Sequence, residues 1–299
     1  MTNNRKWLAG VLIAVLILSA GLLFTLAAAV IFFKDDSVRL ASFSDRVGIL
    51  ELKGVIEDSE TFNRQLKTFR EDKNIRAVVV RIESPGGMVA PSQEIYEQLS
   101  RLRDETDKPV VVSMGSIAAS GGYYVACAAD SILAAPGTLT GSIGVILEFP
   151  NLQEILRKVG ISFEVIKSGE HKDLASPWRK MTEQERRVLQ EMVDDVYNQF
   201  IEVVSRERNL PDDSILSLAD GRVFTGRQAK KLGLVDTTGV FQDALDLAGR
   251  MCGLGDNPKT VRARKRRATW LERLTETISR VSEPSSSGIG TPRLMYIFR

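Results

Sequence analysis

Between about residue 45 and residue 255, short β-branched runs alternate with stretches whose apolar residues recur every three or four positions. Val47–Leu52 reads as a strand and Thr61–Arg70 as the helix after it. The run AVVVRI at Ala77–Ile82 predicts a buried strand, because consecutive β-branched residues suit a pleated surface covered on both faces. It ends in Ser84-Pro85-Gly86-Gly87, and a helix follows near Ser92–Arg103. Further strands are expected at Pro109–Ser113, Ser131–Ala134, Ile143–Leu147 and Ser162–Lys167, with helical patterns over Ser120–Ala129 and Leu152–Val159. A long helix over Glu183–Arg208 is carried by Val188, Met192, Val196, Phe200 and Val203, with Thr182 as its N-cap and Glu183 and Glu185 in its first turn. Repeated strand–helix alternation implies an α/β domain rich in parallel strands, with loops gathered at the strand ends.

Both ends of the chain depart from this pattern. Trp7 to Phe33 contains no charge, and as a helix it would be about 40 Å long against a hydrocarbon core of about 30 Å. A retained transmembrane helix over 7–33, after a short tail at 1–6, is the expectation. Ala27-Ala28-Ala29 resembles a signal-peptide cleavage site, but the apolar run exceeds the usual signal core. Basic residues flank the run on both sides, so charge counting does not orient it.

The last segment, 256–299, is basic at Lys259, Arg262, Arg264, Lys265, Arg266, Arg267 and Arg273. It is expected to be partly amphipathic helix, on the stripe Trp270, Leu271, Leu274, Ile278 and Val281, and partly disordered. Such a helix suits either an anionic membrane surface or packing on the domain. With no aromatic interleaving and no recognition motif, nucleic acid is not an expected partner.

Composition narrows the chemistry. Two cysteines, Cys127 and Cys252, make no disulfide framework. The single histidine, His171, leaves too few soft ligands for a zinc site, and no P-loop is present. No metal or cofactor is expected. A Ser–His–Asp triad would have to use His171.

Ser120 lies in Ala118-Ala119-Ser120-Gly121-Gly122, between a strand and a predicted helix. Small neighbours let a peptide backbone approach, and a following glycine leaves its N–H unobstructed for a developing oxyanion. A plain N-cap serine in a tight turn fits the same residues, and the segment is not a G-x-S-x-G elbow. Ser84-Pro85-Gly86-Gly87 ends another strand and can supply a second N–H donor, or be turn chemistry alone. For a base there are two candidates in the polar loop at 168–173, Lys172 and His171. A solvated lysine titrates near ~10.4, so a lysine base needs desolvation or neighbouring cations. Ser142, in Gly141-Ser142-Ile143-Gly144, carries a hydroxyl that can orient a lysine amine; a turn serine is the plainer reading.

Together the segments SPGG (84–87), GSIAASGGYYVACAAD (115–130), GTLTGSIGV (137–145), SGEHKDLASPWRKMTEQER (168–186) and ADGRVFTGRQAKKLGLVD (219–236) resemble the signal peptide peptidase A family in its short, single-domain form, over roughly 45–255. The resemblance implies a ClpP/crotonase-like spiral of strand–helix repeats. It implies a serine peptidase with Ser120 as nucleophile, Lys172 as general base and Ser142 bonding the lysine, with backbone N–H groups of Gly87 and Gly121 as oxyanion donors. It also implies one N-terminal membrane helix and a catalytic domain on the extracytoplasmic, periplasmic side. Leftover signal peptides are the implied substrates, and the implied assembly is a bowl-like homo-oligomer in which serine and lysine can come from neighbouring subunits. His171 departs from the aromatic residue that often precedes the lysine, and the basic C-terminal segment lies outside the resemblance. A crotonase-like acyl-CoA enzyme and a non-catalytic membrane scaffold remain as alternative readings of the same fold.

Overall fold

The structure is a computed structural model that describes residues 18, 19, 21, 22, 44–263 and 293–298. The chain divides into two compact units, Met1–Asp45 and Arg46–Arg299. In the first, residues 18, 19, 21 and 22 are helical, with Leu18 and Leu22 exposed. The rest of the expected span over 7–33 lies outside the described residues. Among the described residues, no helix is long and apolar enough to cross a membrane.

The second unit is built on parallel strands. β1 (Arg46–Lys53), β2 (Ile75–Ser84), β4 (Val110–Ala119), β5 (Ser131–Ala134), β9 (Thr237–Thr238) and β10 (Thr260–Arg262) pair in the order β10-β1-β2-β4-β5-β9, every contact parallel. The helices between them are α1 (Glu60–Glu71), α2 (Val89–Glu105) and α3 (Gly121–Ala126). Sequential parallel strands need such crossovers, since a tight turn cannot reverse the chain twice.

The β-branched runs are covered on both faces. Leu50, Val78, Val80, Val110 and Val112 pack towards the helical side, while Val47, Ile49, Val79 and Val111 meet Ala244, Leu245 and Ala248 of α8 (Phe241–Met251). Alternate side chains of a strand point to opposite faces, so the continuous apolar run follows from burial on both sides. Each such valine contributes about 1.5–3 kcal/mol by leaving water.

Three features position the site. β6 (Leu139–Gly141) runs parallel to the far end of β4, with Ala119 opposite Gly141, and pairs antiparallel with β8 (Val223–Thr225). α5 (Glu183–Arg208) starts at a capping box: Thr182 accepts from the Glu185 N–H while the Glu185 carboxylate accepts from the Thr182 N–H. A second sheet of three strands places β11 (Arg293–Ile297) between β3 (Gly86–Met88) and β7 (Ile146–Glu148), antiparallel to both. α4 (Gln153–Lys158), α6 (Asp212–Leu216) and α7 (Gly226–Lys231) are the remaining α-helices of this unit among the described residues.

Two expectations differ from what is observed. Ser162–Lys167 is not a strand: Phe163, Val165 and Ile166 are exposed, and among the described residues no neighbouring strand pairs with them. A β-rich sequence without a partner for its backbone groups cannot hold a ladder. Within 256–299, where helix or disorder was expected, the described portions include the strands β10 and β11; the helical stripe from Trp270 to Val281 lies outside the described residues.

Candidate active site

Ser120 sits between β4 and α3 with φ 52° and ψ −117°. An L-residue at positive φ costs about 1–3 kcal/mol and persists only where the surroundings impose it. Here they do: the Ser120 N–H donates to the Gly141 carbonyl at 2.8 Å, and the Ser120 carbonyl accepts from the Tyr124 N–H at 2.8 Å. Local composition misses this strain, which resembles the sharp strand-to-helix turn of hydrolase nucleophiles.

Ser142 occupies the matching position on the adjacent strand. Ala119 of β4 is paired with Gly141 of β6, so each serine is the first residue past a paired end of neighbouring parallel strands. Ser142 also has positive φ (51°), and its N–H donates to the Arg222 carbonyl at 2.8 Å. Both serines are buried. The carboxyl ends of parallel strands are where α/β proteins gather their ligands, and both serines lie at such an end.

The Ser84-Pro85-Gly86-Gly87 turn reaches the same place. The buried Ser84 hydroxyl donates to the Gly54 carbonyl at 2.6 Å and accepts from the Gly86 N–H at 3.1 Å. Gly86 has φ 99°, a conformation that side chains resist. Its carbonyl accepts from the Ile56 N–H, and the Met88 N–H donates to the Ile56 carbonyl. With both neighbours committed to Ile56, the Gly87 N–H and C=O face the other way, towards Tyr296 of β11. A Cβ placed on Gly121 would lie 3.2 Å from the Gly87 nitrogen, so the two candidate donor residues converge.

Lys172 is not brought to the serines within this chain. It lies in a one-turn 3₁₀ helix, Glu170–Asp173, and is exposed, as is His171. Among the described residues, no hydrogen bond or ion pair joins the side chain of either one to Ser120 or Ser142. The loop is nevertheless tied down. Asp173 takes Lys167 at 2.6 Å and Arg179 at 2.9 Å, and Arg179 reaches on to Glu185 at the start of α5. Hydrogen bonds from Arg179, then Lys167, hold the Asp173 carboxyl well below its ordinary range. Arg179 likewise lowers Glu185 to about 2.

Cys127 is no rival nucleophile: it is buried, and burial pushes its thiol up to about 12, which keeps it protonated.

The description Peptidase family S49 matches residues 103–254, which contain Ser120, Ser142 and Lys172, and Clp protease matches residues 40–138. A Synechocystis sp. protein, provisionally named protease slr0021, is 46% identical over 211 residues, 70% of this chain and 75% of that protein. The chain belongs to peptidase family S49. It is a serine peptidase of mixed α/β fold.

An Enterococcus faecium relative provisionally named signal peptide peptidase SppA is 36% identical, covering 71% of this chain and 65% of its own length. Protease 4 of Haemophilus influenzae is 32% identical, and the matched part is 72% of this chain but 36% of that protein. A solved ClpP1 mutant from Listeria monocytogenes is 16% identical, covering 66% of this chain and 94% of its own, with a TM-score of 0.45. For an S49 peptidase, the feature that sequence reasoning missed is β11. Its signal is the apolar run Leu294-Met295-Tyr296-Ile297-Phe298 after Pro292-Arg293, a strand pattern at the end of a basic segment.

Proposed function

We propose that this chain is a Ser–Lys endopeptidase of the signal peptide peptidase type, anchored by residues 7–33, that clears leftover signal peptides at the periplasmic face of the cell membrane. Its fold on this reading is the ClpP/crotonase-like spiral. Ser120 attacks the peptide carbonyl, and the resulting oxyanion is met by the N–H groups of Gly87 and Gly121. The neutral Lys172 amine, held by the Ser142 hydroxyl, takes the Ser120 proton and returns it to the leaving amine, after which water cleaves the acyl-enzyme. The observation that carries the reading is the convergence of the strained Ser120 turn with Ser142, Gly87 and Gly121.

The exposed position of Lys172 supports a homo-oligomer in which each serine is served by the lysine of a neighbouring copy. A cavity of about 600 Å³ beside Ser142, lined also by Val145, Tyr197 and Asp220, leaves room for an incoming amine. The exposed apolar residues Ile161, Phe163, Val165 and Ile166 lie on the same arm as Lys172 and suit contact with a second copy.

Mixing inactive variants tests this. Ser120→Ala and Lys172→Ala each abolish cleavage of a peptide carrying a signal-peptide core. Co-assembled in equal amounts they recover about a quarter of wild-type turnover, the share of neighbouring pairs that random mixing completes. No recovery places both groups in one copy. Loss with His171→Ala but not with Lys172→Ala moves the base to histidine, and turnover surviving Ser120→Ala sinks the assignment.

A further inference from the structure

Asp173 directly follows Lys172 in the one-turn helix Glu170–Asp173, and a neighbouring carboxylate is a hazard for a lysine that must lose its proton. An opposite charge within about 4–6 Å favours the ammonium form, by about 1–3 pH units. Pairs between adjacent residues form readily in this chain: Arg103 Nε bonds Asp104 at 2.7 Å, and Arg206 Nε bonds Glu207 at 3.1 Å. Among the described residues, however, no ion pair joins Lys172 to either carboxylate of its turn. We propose that Lys167 and Arg179 are positioning residues for the general base, keeping its amine free by occupying both oxygens of Asp173. The inference rests on the reading of Lys172 as that base and adds what protects it.

The carboxylate is occupied oxygen by oxygen. Lys167 Nζ donates to Asp173 Oδ1 at 2.6 Å, and Arg179 Nε donates to Oδ2 at 2.9 Å. Each cation is itself held in place. Lys167 also donates to the Glu170 carbonyl at 2.9 Å, across the same turn. Arg179 donates to the Asp173 carbonyl at 3.3 Å and the Lys180 carbonyl at 3.2 Å, and both Nη atoms bond the buried Glu185 carboxylate. Glu185 in turn belongs to the Thr182 capping box at the start of α5. Asp173 thus ties the turn to α5, which places Lys172, without capturing the amine it places.

The surrounding charges single out Asp173 as the carboxylate to be neutralised. Its side chain is 14% exposed and poorly screened by water, whereas Glu170, the other carboxylate of the turn, is exposed. Lys167 and Arg179 balance Asp173 and Glu185, and the nearby His171, Lys180 and Arg186 add no negative charge. The cavity beside Ser142, to which the proposed assembly brings the amine, shows the same device. Its carboxylates are Glu148, Asp194 and Asp220. Arg222 Nε clamps Asp220, at 2.7 Å to one oxygen and 2.8 Å to the other, and Asp194 accepts from Gln190 at 2.7 Å.

The state of the amine can be read without catalysis, because only the neutral form is acylated. In a Ser120→Ala background of the full chain, trace acetic anhydride at about pH 8 labels the lysines, and mass spectrometry compares Lys172 with the exposed Lys231. Lys167→Gln vacates Oδ1 and leaves the tie to α5 intact; Arg179→Gln vacates Oδ2. Each should lower the labelling of Lys172 by about threefold, and the two together by about tenfold. Adding Asp173→Asn to the pair should return labelling to within about twofold of the parent. A merely structural loosening of the arm would not be repaired by Asp173→Asn, which removes a further tie. Unchanged labelling in both single variants, or a loss that Asp173→Asn fails to restore, overturns the proposal. In the Ser120-containing forms, the acid limb of kcat/KM against pH should move to higher pH as labelling falls, and return with Asp173→Asn. Labelling as expected, with full cleavage by Lys172→Ala, removes the base reading alone and leaves the protection of the amine standing.

Discussion

Gly121→Ala separates the site from the scaffold. Gly121 is the first residue of α3, where alanine is the better helix former by about 0.5–1 kcal/mol. Its new methyl carbon would lie 2.7 Å from Ser92 Oγ, 3.2 Å from the Gly87 nitrogen and 3.1 Å from the Tyr296 carbonyl oxygen. The first contact is relieved by rotating Ser92, which gives up its 2.8 Å bond to the Met88 carbonyl at a cost of about 0.5–1.5 kcal/mol. Propensity and the lost bond nearly cancel, so the fold should move by no more than about 1 kcal/mol, or about 2–4 °C in Tm.

The other two contacts have no such relief. They fill the space between the two proposed oxyanion donors with a methyl group, and an oxyanion held there must retreat from at least one of them. Loss of one donor costs about 10²–10³ in kcat, equivalent to about 2.7–4 kcal/mol of transition-state stabilisation. The assay is steady-state cleavage of an internally quenched peptide, alongside a calorimetric melt. A kcat within threefold of wild type at unchanged Tm would refute the assignment of these donors. A fall of more than about 10 °C would instead show that the helix start cannot take the methyl.

Ser84→Ala removes a buried hydroxyl that serves the Gly54 carbonyl and the Gly86 N–H. It should cost about 1–3 kcal/mol in denaturant unfolding and slow turnover as the Gly87 N–H loses its aim; unchanged stability would contradict the bracing role. The Lys172 arm should be acid-sensitive. Asp173 and Glu185 are depressed by Arg179, so their contribution is complete above the ordinary carboxylate range near ~4 and is lost as pH falls towards about 2. Trp178 stacks on Phe163 within this arm, and its fluorescence in a Trp7→Phe, Trp270→Phe background should report the loss. Arg179→Ala should move that transition to higher pH; an identical profile would dismiss the linkage.

Local pattern was enough for what is local. The β-branched run at 77–82 and the 183–208 periodicity with Thr182 as cap appear as β2 and α5. The serine and glycine segments were legible as candidates because turn chemistry and small residues are written in the sequence. Their convergence was not, since it depends on Ala119 pairing with Gly141 and on Ile56 bridging Gly87, contacts set by register between distant segments. β11 was illegible for the same reason: an apolar run names a strand but not its partners, and those of β11 lie about 150 and 200 residues away. The failed strand at 162–167 is the converse case, a β-rich run that finds no partner strand among the described residues.

That run and the exposed Lys172, the one without a partner strand and the other without a side-chain ion pair among the described residues, belong together. Within one chain, the proposed serine half of the site is held in a costly conformation: positive φ at Ser120 and Ser142 is maintained by bonds to the Gly141 and Arg222 carbonyls. The half that would supply the base is inexpensive and exposed, an arm fixed through Arg179 to α5 with its apolar residues facing water. Both features fit the proposed assembly, since backbone strain collects at functional sites and exposed apolar residues suit an interface. Joining the arm of one copy to the serines of the next satisfies both conditions at once. Under that arrangement turnover depends on protein concentration more steeply than on substrate, a property that dilution of the wild-type protein reads directly.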